Sequence, residues 1–235
     1  MKKLIYFLLI SGVLVLGVGL ALVAHYKLWE RLVIFATIPV FGKSWTCEVE
    51  KQNGIYHQTK AEMIFLGDSH MEQCEWNEVF PNWKTANRGI GGEGTEGLLA
   101  RIAVLSVDQD QTVFLQIGIN DLLNDRTPEQ VKESYVKILS LLEQRKIRVV
   151  PSLIFYVRYI PHVNPMVTKL NQSLLTLFRD RKIEFIDLNP QISENETLLK
   201  KYSIDGIHLN NEGYKIWIHE IEKRIRIISS ASDSL

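Results

Sequence analysis

The sequence predicts an α/β sandwich around a parallel sheet, preceded by a membrane-spanning helix. Three observations carry that expectation. From residue 60 onward, short hydrophobic runs alternate with segments of helical periodicity. Most of those runs end in a turn rich in Gly, Asp, Ser or Asn. Ahead of them, residues 4–24 form an apolar stretch of 21 residues without a charge.

The span comes first. At ~1.5 Å rise per residue it makes a helix of about 32 Å, enough to cross a hydrocarbon core of ~30 Å. A cleavable signal peptide has a shorter apolar region, and Ala21-Leu22-Val23-Ala24 is a poor cleavage site. A retained anchor over residues 1–24 is therefore expected. Lys2 and Lys3 precede it, while Lys27, Glu30 and Arg31 follow. That bias places the N-terminus inside and the remaining chain outside the cytoplasm. Residues 25–59 are juxtamembrane. Within them Trp29, Leu32, Val33 and Ala36 share a helical face that Pro39 should end. This face either lies in the membrane interface, where Tyr26 and Trp29 are at home, or packs on the folded domain.

The domain occupies residues 60–228, with a polar, frayed tail at 229–235. Its expected strands are 63–66, 85–88, 112–117, 147–155 and 183–188. Pro151 interrupts the fourth and argues against a fully paired central position. The expected helices are 95–105, 128–144, 165–181 and 211–227. Thr127, Pro128 and Gln130 make a capping box with proline in the first turn. Asn164 introduces the next helix in the same style, and Ser193 with Glu196 suggests a second capping box. Composition is that of an ordinary globular chain, 46% hydrophobic and 23% charged. Lys+Arg and Asp+Glu both number 27, so there is no electrostatic footprint for nucleic acid. Cys47 and Cys74 form either one disulfide or two buried thiols, and their spacing matches no metal site.

Four islands carry the chemistry. Gly67-Asp68-Ser69 follows the first strand, where a parallel sheet binds ligands. Asp205 and His208, three residues apart, can stand side by side in one turn. A serine hydroxyl needs a neighbouring base, and the base needs an acceptor that fixes its tautomer. Asn120, in Gly118-Ile119-Asn120-Asp121, can donate its side-chain amide to a developing oxyanion. Gly92 lies in a glycine-rich loop that lets backbone approach a ligand closely. Taken singly, each residue reads as an ordinary cap or turn former. Gly89-Ile90-Gly91-Gly92-Glu93-Gly94 also fits G-x-G-x-x-G, with Asp121 as a ribose-binding acid. That dinucleotide reading leaves Ser69 and the Asp205–His208 turn unexplained.

Together, Gly67-Asp68-Ser69, Asn87-Arg88-Gly89-Ile90-Gly91-Gly92, Gly118-x-Asn120-Asp121 and Asp205-x-x-His208 resemble the four blocks of the SGNH (GDSL-type) hydrolases. The resemblance spans residues 61–227. The glycine loop is most similar to the branch of the platelet-activating-factor acetylhydrolase subunits. The resemblance implies a three-layer flavodoxin-like fold with a five-stranded parallel sheet in the order 2-1-3-4-5, and no metal or organic cofactor. It implies Ser69 as nucleophile, His208 as base and Asp205 as its orienting carboxylate. The Ser69 N–H, the Gly92 N–H and the Asn120 side chain would form the oxyanion hole. His70 departs from the family, which more often has an aliphatic residue there; it either perturbs the nucleophile or touches substrate, or is a solvated residue at the helix start, the reading favoured here. Tyr156, Arg158 and Tyr159, after the fourth strand, are candidates for the acyl or leaving-group pocket, or are surface loop residues.

The expected activity is that of a membrane-anchored serine esterase acting on an acetylated glycan or a lipid ester. The alternatives are an acyltransferase that passes the acyl group to a sugar hydroxyl, and a silent membrane-tethered binding module.

Overall fold

The structure is a computed structural model that describes residues 61–102, 105 and 111–232. The expected span 4–24, the juxtamembrane segment and Cys47 lie outside these residues. Among the described residues no helix is long and apolar enough to cross a membrane.

Four parallel strands form the sheet. They are β1 (Met63–Gly67), β2 (Thr85–Gly89), β3 (Thr112–Gln116) and β4 (Arg148–Pro151), in the order β2-β1-β3-β4. β1 lies between two neighbours and is buried along its whole length, as expected of an uninterrupted apolar run in a parallel sheet. The expected fifth strand is reduced to one parallel bridge between Ser152 and Ile186. Pro151 accounts for this. Its carbonyl faces the fifth segment and accepts from the Ile186 N–H at 2.9 Å, but it has no N–H to donate to that side. Pairing resumes only where the Leu153 N–H reaches the Ile186 carbonyl at 2.8 Å.

The two faces of the sheet are covered by different helices. Phe65, Phe114 and Val150 pack with Trp76 of α2 (Trp76–Val79) and with Trp217 and Ile221 of the long C-terminal helix (Asn211–Ser232). Phe65 stacks on Trp76 at 3.9 Å between ring centroids, and Trp217 meets Trp76 edge-on at 5.8 Å. Each such fully buried aromatic is worth roughly 1.5–3 kcal/mol over an exposed one. Ile64, Leu66, Val113 and Leu115 alternate to the opposite face. The helix α5 (Pro128–Gln144) packs against α3 (Thr95–Ile102) and against α6 (Asn164–Asp180), and its buried Tyr135 donates its hydroxyl to the Ile117 carbonyl at 2.6 Å.

The α5 capping box forms as expected, with Thr127 and Gln130 exchanging backbone-to-side-chain bonds of 2.9 and 3.3 Å. Two other cap assignments are corrected. Asn164 does not cap α6; its amide is spent on the N–H and carbonyl of Val157, at 2.9 and 2.8 Å. Ser193 and Glu196 do not start a helix. They belong to an antiparallel hairpin, Ser193–Glu194 with Thr197–Leu198, whose central residues Asn195 and Glu196 have φ of 47° and 56°. The C-terminal helix extends to Ser232, five residues beyond its expected end at 227.

Candidate active site

The four islands meet at one edge of the sheet. Gly67 is in register with Gly89 and Gln116, so the loops after β1, β2 and β3 leave the sheet at the same level. Gly67 has φ +150°, and a Cβ on it would sit 1.8 Å from the Gln116 carbonyl oxygen, so only glycine lets β1 and β3 approach this closely. The next residue, Asp68, caps α1 (Ser69–Glu72), its Oδ1 accepting the His70 N–H at 3.0 Å. Ser69 is thereby the first residue of α1, almost fully buried. Asn87 secures the other end of α1 by donating to the carbonyls of Met71, Glu72 and Cys74 at 2.9–3.1 Å.

The Ser69 hydroxyl lies 2.9 Å from His208 Nε2, and His208 Nδ1 lies 2.6 Å from Asp205 Oδ2. The remaining carboxylate oxygen of Asp205 accepts the N–H groups of Ile207 and His208 at 2.9 and 2.8 Å. Burial raises the Asp205 carboxyl's proton affinity, but the bonds from His208 and the two backbone N–H groups outweigh it and bring the pKa down to about 2. Asp205 is therefore ionised at neutral pH and holds the Nδ1–H tautomer of His208, leaving the Nε2 lone pair for the Ser69 proton. The turn is fixed from below by Ser203, whose hydroxyl accepts from Gly206 N–H and donates to the His208 carbonyl at 2.7 and 2.9 Å.

The candidate oxyanion donors are arranged by a buried ion pair. Gly92 turns the loop with φ +75°, and Glu93 follows it. The Glu93 carboxylate meets Arg101 in a two-pronged contact of 2.7 and 2.6 Å, and Arg101 also donates to the Arg88 carbonyl at 2.8 Å. Burial pushes the Glu93 carboxyl upward against the opposing pull of Arg101. The Glu93 carbonyl in turn accepts one hydrogen of the Asn120 amide at 3.0 Å, which orients that amide and leaves its second hydrogen for a ligand. Neither Glu93 nor Arg101 was expected from the sequence, since a lone arginine on a helix ordinarily reads as solvated. Asp121 is not available to a ribose. Its carboxylate accepts the Thr95 N–H and hydroxyl and pairs with Arg126, at 2.6–2.8 Å.

The loop after β4 divides. The Arg158 N–H donates to the Gly206 carbonyl at 2.7 Å, and the Tyr159 ring lies over Gly206, where an added Cβ would come within 2.4 Å of it. These two residues adjoin the Asp205–His208 turn, and Tyr159 is half exposed. Tyr156 is turned elsewhere: its hydroxyl bonds Thr168 at 3.0 Å in a separate cleft shared with Gln172 and Asp187. His70 is also corrected. It is buried beside His208, with both ring nitrogens engaged. Cys74 is a buried free thiol, pushed up to about 11 by burial and the nearby Glu75 charge. Among the described residues no group of three or more His, Cys, Asp or Glu could hold a metal ion.

Known proteins are similar to this chain in sequence or in fold. The platelet-activating factor acetylhydrolase IB subunit alpha1 of Pongo abelii is 29% identical over 165 residues, covering 65% of this chain and 70% of that protein. The N-acylneuraminate cytidylyltransferase of Streptococcus agalactiae is 24% identical over 189 residues, which is 74% of this chain but 44% of that protein. The chain thus spans less than half the length of those cytidylyltransferases. In fold it is similar to a GDSL-like lipase from Bacteroides thetaiotaomicron, with TM-score 0.63, 20% identity and coverage of 87% of this chain and 98% of the other. It is also similar to an acetyl xylan esterase, with TM-score 0.58, 18% identity and coverage of 69% and 98%. Residues 65–216 match the model of the GDSL-like lipase/acylhydrolase family, and the chain belongs to that family.

Proposed function

We propose that this protein is a serine esterase that cleaves carboxylic esters through an acyl-enzyme. The observation that carries the proposal is the continuous hydrogen-bonded chain from Ser69 through His208 to an ionised Asp205, at the carboxyl edge of a parallel sheet. Ser69 Oγ attacks the ester carbonyl while His208 Nε2 takes its proton. The negative charge that builds on the carbonyl oxygen is met by the N–H groups of Ser69 and Gly92 and by the free hydrogen of the Asn120 amide. His208 returns the proton to the departing alkoxide, and Ser69 is left acylated. A water molecule then gives a proton to His208 and attacks the acyl carbonyl; as the acid departs, His208 returns that proton to Ser69 Oγ, which restores the free enzyme.

The acyl group in this reading is short, acetyl above all, carried on a glycan or a lipid. Support comes from the acetylhydrolase subunits among the relatives. Tyr159, whose ring lies over Gly206, and Ile204, the residue before Asp205, are exposed and offer apolar surface to the leaving group. The uncharged run at residues 4–24 supports anchorage in a membrane with the domain outside the cytoplasm. Full-length protein that leaves the membrane in a high-salt wash would contradict the anchorage, and a cytoplasm-only reporter active after Leu235 would contradict the orientation.

Full-length protein assayed against p-nitrophenyl esters of increasing chain length tests the reaction. Turnover is expected to be fastest with acetate. No turnover of any ester would favour a binding module. Release that accelerates when sugar acceptors are added, with the acyl group recovered on the sugar, would favour transfer over hydrolysis.

A further inference from the structure

Flanking the nucleophile in sequence is a second Asp–His pair, Asp68 and His70, that the reaction above does not use. His70 and Asp68 are 1% and 0% exposed. His70 Nδ1 faces Asp68 Oδ1 at 3.2 Å, and His70 Nε2 faces the carbonyl oxygen of Ile207 at 3.1 Å. Both partners are acceptors. Either neutral tautomer of the imidazole would leave a ring lone pair pointing at an oxygen, whereas the imidazolium donates from both nitrogens. A buried carboxylate also requires a partner of opposite charge, which the imidazolium supplies.

The contact with Ile207 matters because of where it falls. Ile207 is the residue before His208, inside the turn that presents the base. Its N–H is bound by Asp205, while its carbonyl is bound by His70. The two histidine rings are 5.5 Å apart. The ring of His70 is further fixed by the edge of Phe155 at 5.3 Å, and its backbone carbonyl accepts the Tyr214 hydroxyl at 2.7 Å. A single side chain thus ties the helix that carries the nucleophile to the turn that carries the base, two elements 137 residues apart in sequence.

We infer that His70, as an imidazolium held between Asp68 and the Ile207 carbonyl, is a positioning residue that latches the Asp205–His208 turn onto the Ser69 helix. The inference builds on Ser69 and His208 as the reacting groups. The titratable groups around His70 are Asp68 on its own turn, Asp205 and His208 across from it, and Tyr214 from the C-terminal helix. Burial lowers the affinity of His70 for its second proton, but the Asp68 carboxylate, the Ile207 carbonyl and the more distant Asp205 together raise it above the ordinary imidazole value. Burial pushes the Tyr214 phenol upward, so that group remains a proton donor. The latch is accordingly intact below about pH 6.5 and is lost as pH rises through the elevated value of the folded protein. Loss of the latch gives the rate an alkaline limb that the Ser69–His208–Asp205 chain alone would not produce.

Two measurements test this on the full-length protein. The first is the ¹⁵N spectrum of histidine-labelled protein, with the His70 ring identified by its contacts to Phe155. At pH 6.5, where half of an ordinary imidazole population of pKa ~6.5 is neutral, both His70 nitrogens are expected to be protonated in most molecules. A neutral His70 ring at that pH overturns the inference whether or not the protein is an esterase. The second is kcat/KM against pH for the wild type and for His70→Gln, which cannot titrate. The wild type should lose rate on the alkaline side. His70→Gln should lose that limb and run roughly 10–100-fold slower at its plateau, as a misplaced base would, with KM nearly unchanged. An alkaline limb that persists in His70→Gln, or a plateau kcat within twofold of wild type, also overturns it. If His70→Gln does not fold, the ¹⁵N spectrum of the wild type still decides.

Discussion

Asp205→Asn isolates the orienting carboxylate. The substitution keeps the size and shape of the side chain, so the consequence follows from its hydrogen bonds. One oxygen of Asp205 accepts two backbone N–H groups at 2.9 and 2.8 Å, and an amide nitrogen cannot replace it there. The amide oxygen of the variant must therefore keep that position, and its NH₂ must face His208 Nδ1. That nitrogen becomes an acceptor, the ring proton moves to Nε2, and the lone pair that should receive the Ser69 proton is gone. Where the same change has been made in a fully enclosed triad, kcat falls by about 10⁴. The Asp205 side chain is 25% exposed, which gives the turn some room to relax, so a fall of roughly 10²–10⁴ is expected. Stability should change as well. A carboxyl brought from 3.8 down to about 2 contributes at most roughly 2 kcal/mol. Its native pKa is depressed, so that contribution is present above pH ~4 and is lost as pH falls towards 2. The variant should lack it at neutral pH, with the difference from wild type shrinking below pH 4. The assay is p-nitrophenyl acetate turnover from pH 5 to 9, together with urea unfolding at pH 7 and pH 3. An Asp205→Asn enzyme within tenfold of wild type, with an unchanged pH profile, would refute the reasoning.

Asn120→Ala should lower kcat by ~10²–10³ with little change in KM, because the oxyanion appears only after attack. A change confined to KM would reassign Asn120 to binding of the intact ester. Gly206→Ala should destabilise the fold by roughly 1–3 kcal/mol, since φ is +95° there. It should also slow turnover, because the added Cβ meets the Tyr159 ring and displaces the turn between Asp205 and His208. Unchanged denaturation and kinetics would mean that the turn accommodates a side chain.

Much of the site was legible because its parts are local. Ser69, Asn120 and the Asp205–His208 turn each follow or precede a strongly patterned element, and their spacing survives in the fold. The capping box at Thr127 was legible for the same reason: cap, proline and Gln130 lie within four residues. The misreadings share an opposite cause. Asn164 has the chemistry of a cap, but its amide is claimed by Val157, seven residues away. Ser193 and Glu196 have cap spacing, yet pairing of Glu194 with Thr197 draws the segment into a hairpin. The fifth strand was read from its own hydrophobic run, whereas its length is limited by Pro151 in the neighbouring strand. His70 looked solvated because its two partners are a carboxylate two residues back and a carbonyl 137 residues ahead. Arg101, buried against Glu93, carries no local signal at all.

The nucleophile itself can be observed. Full-length protein treated with a fluorophosphonate, which captures activated serines, is examined by intact mass and then by peptide mapping. One phosphonyl group per chain is expected, attached to Ser69, and Ser69→Ala protein should remain unlabelled and inactive while unfolding at the wild-type temperature. Labelling at any other residue, or ester turnover by Ser69→Ala near the wild-type rate, would contradict the assignment of Ser69 as the group that attacks the ester.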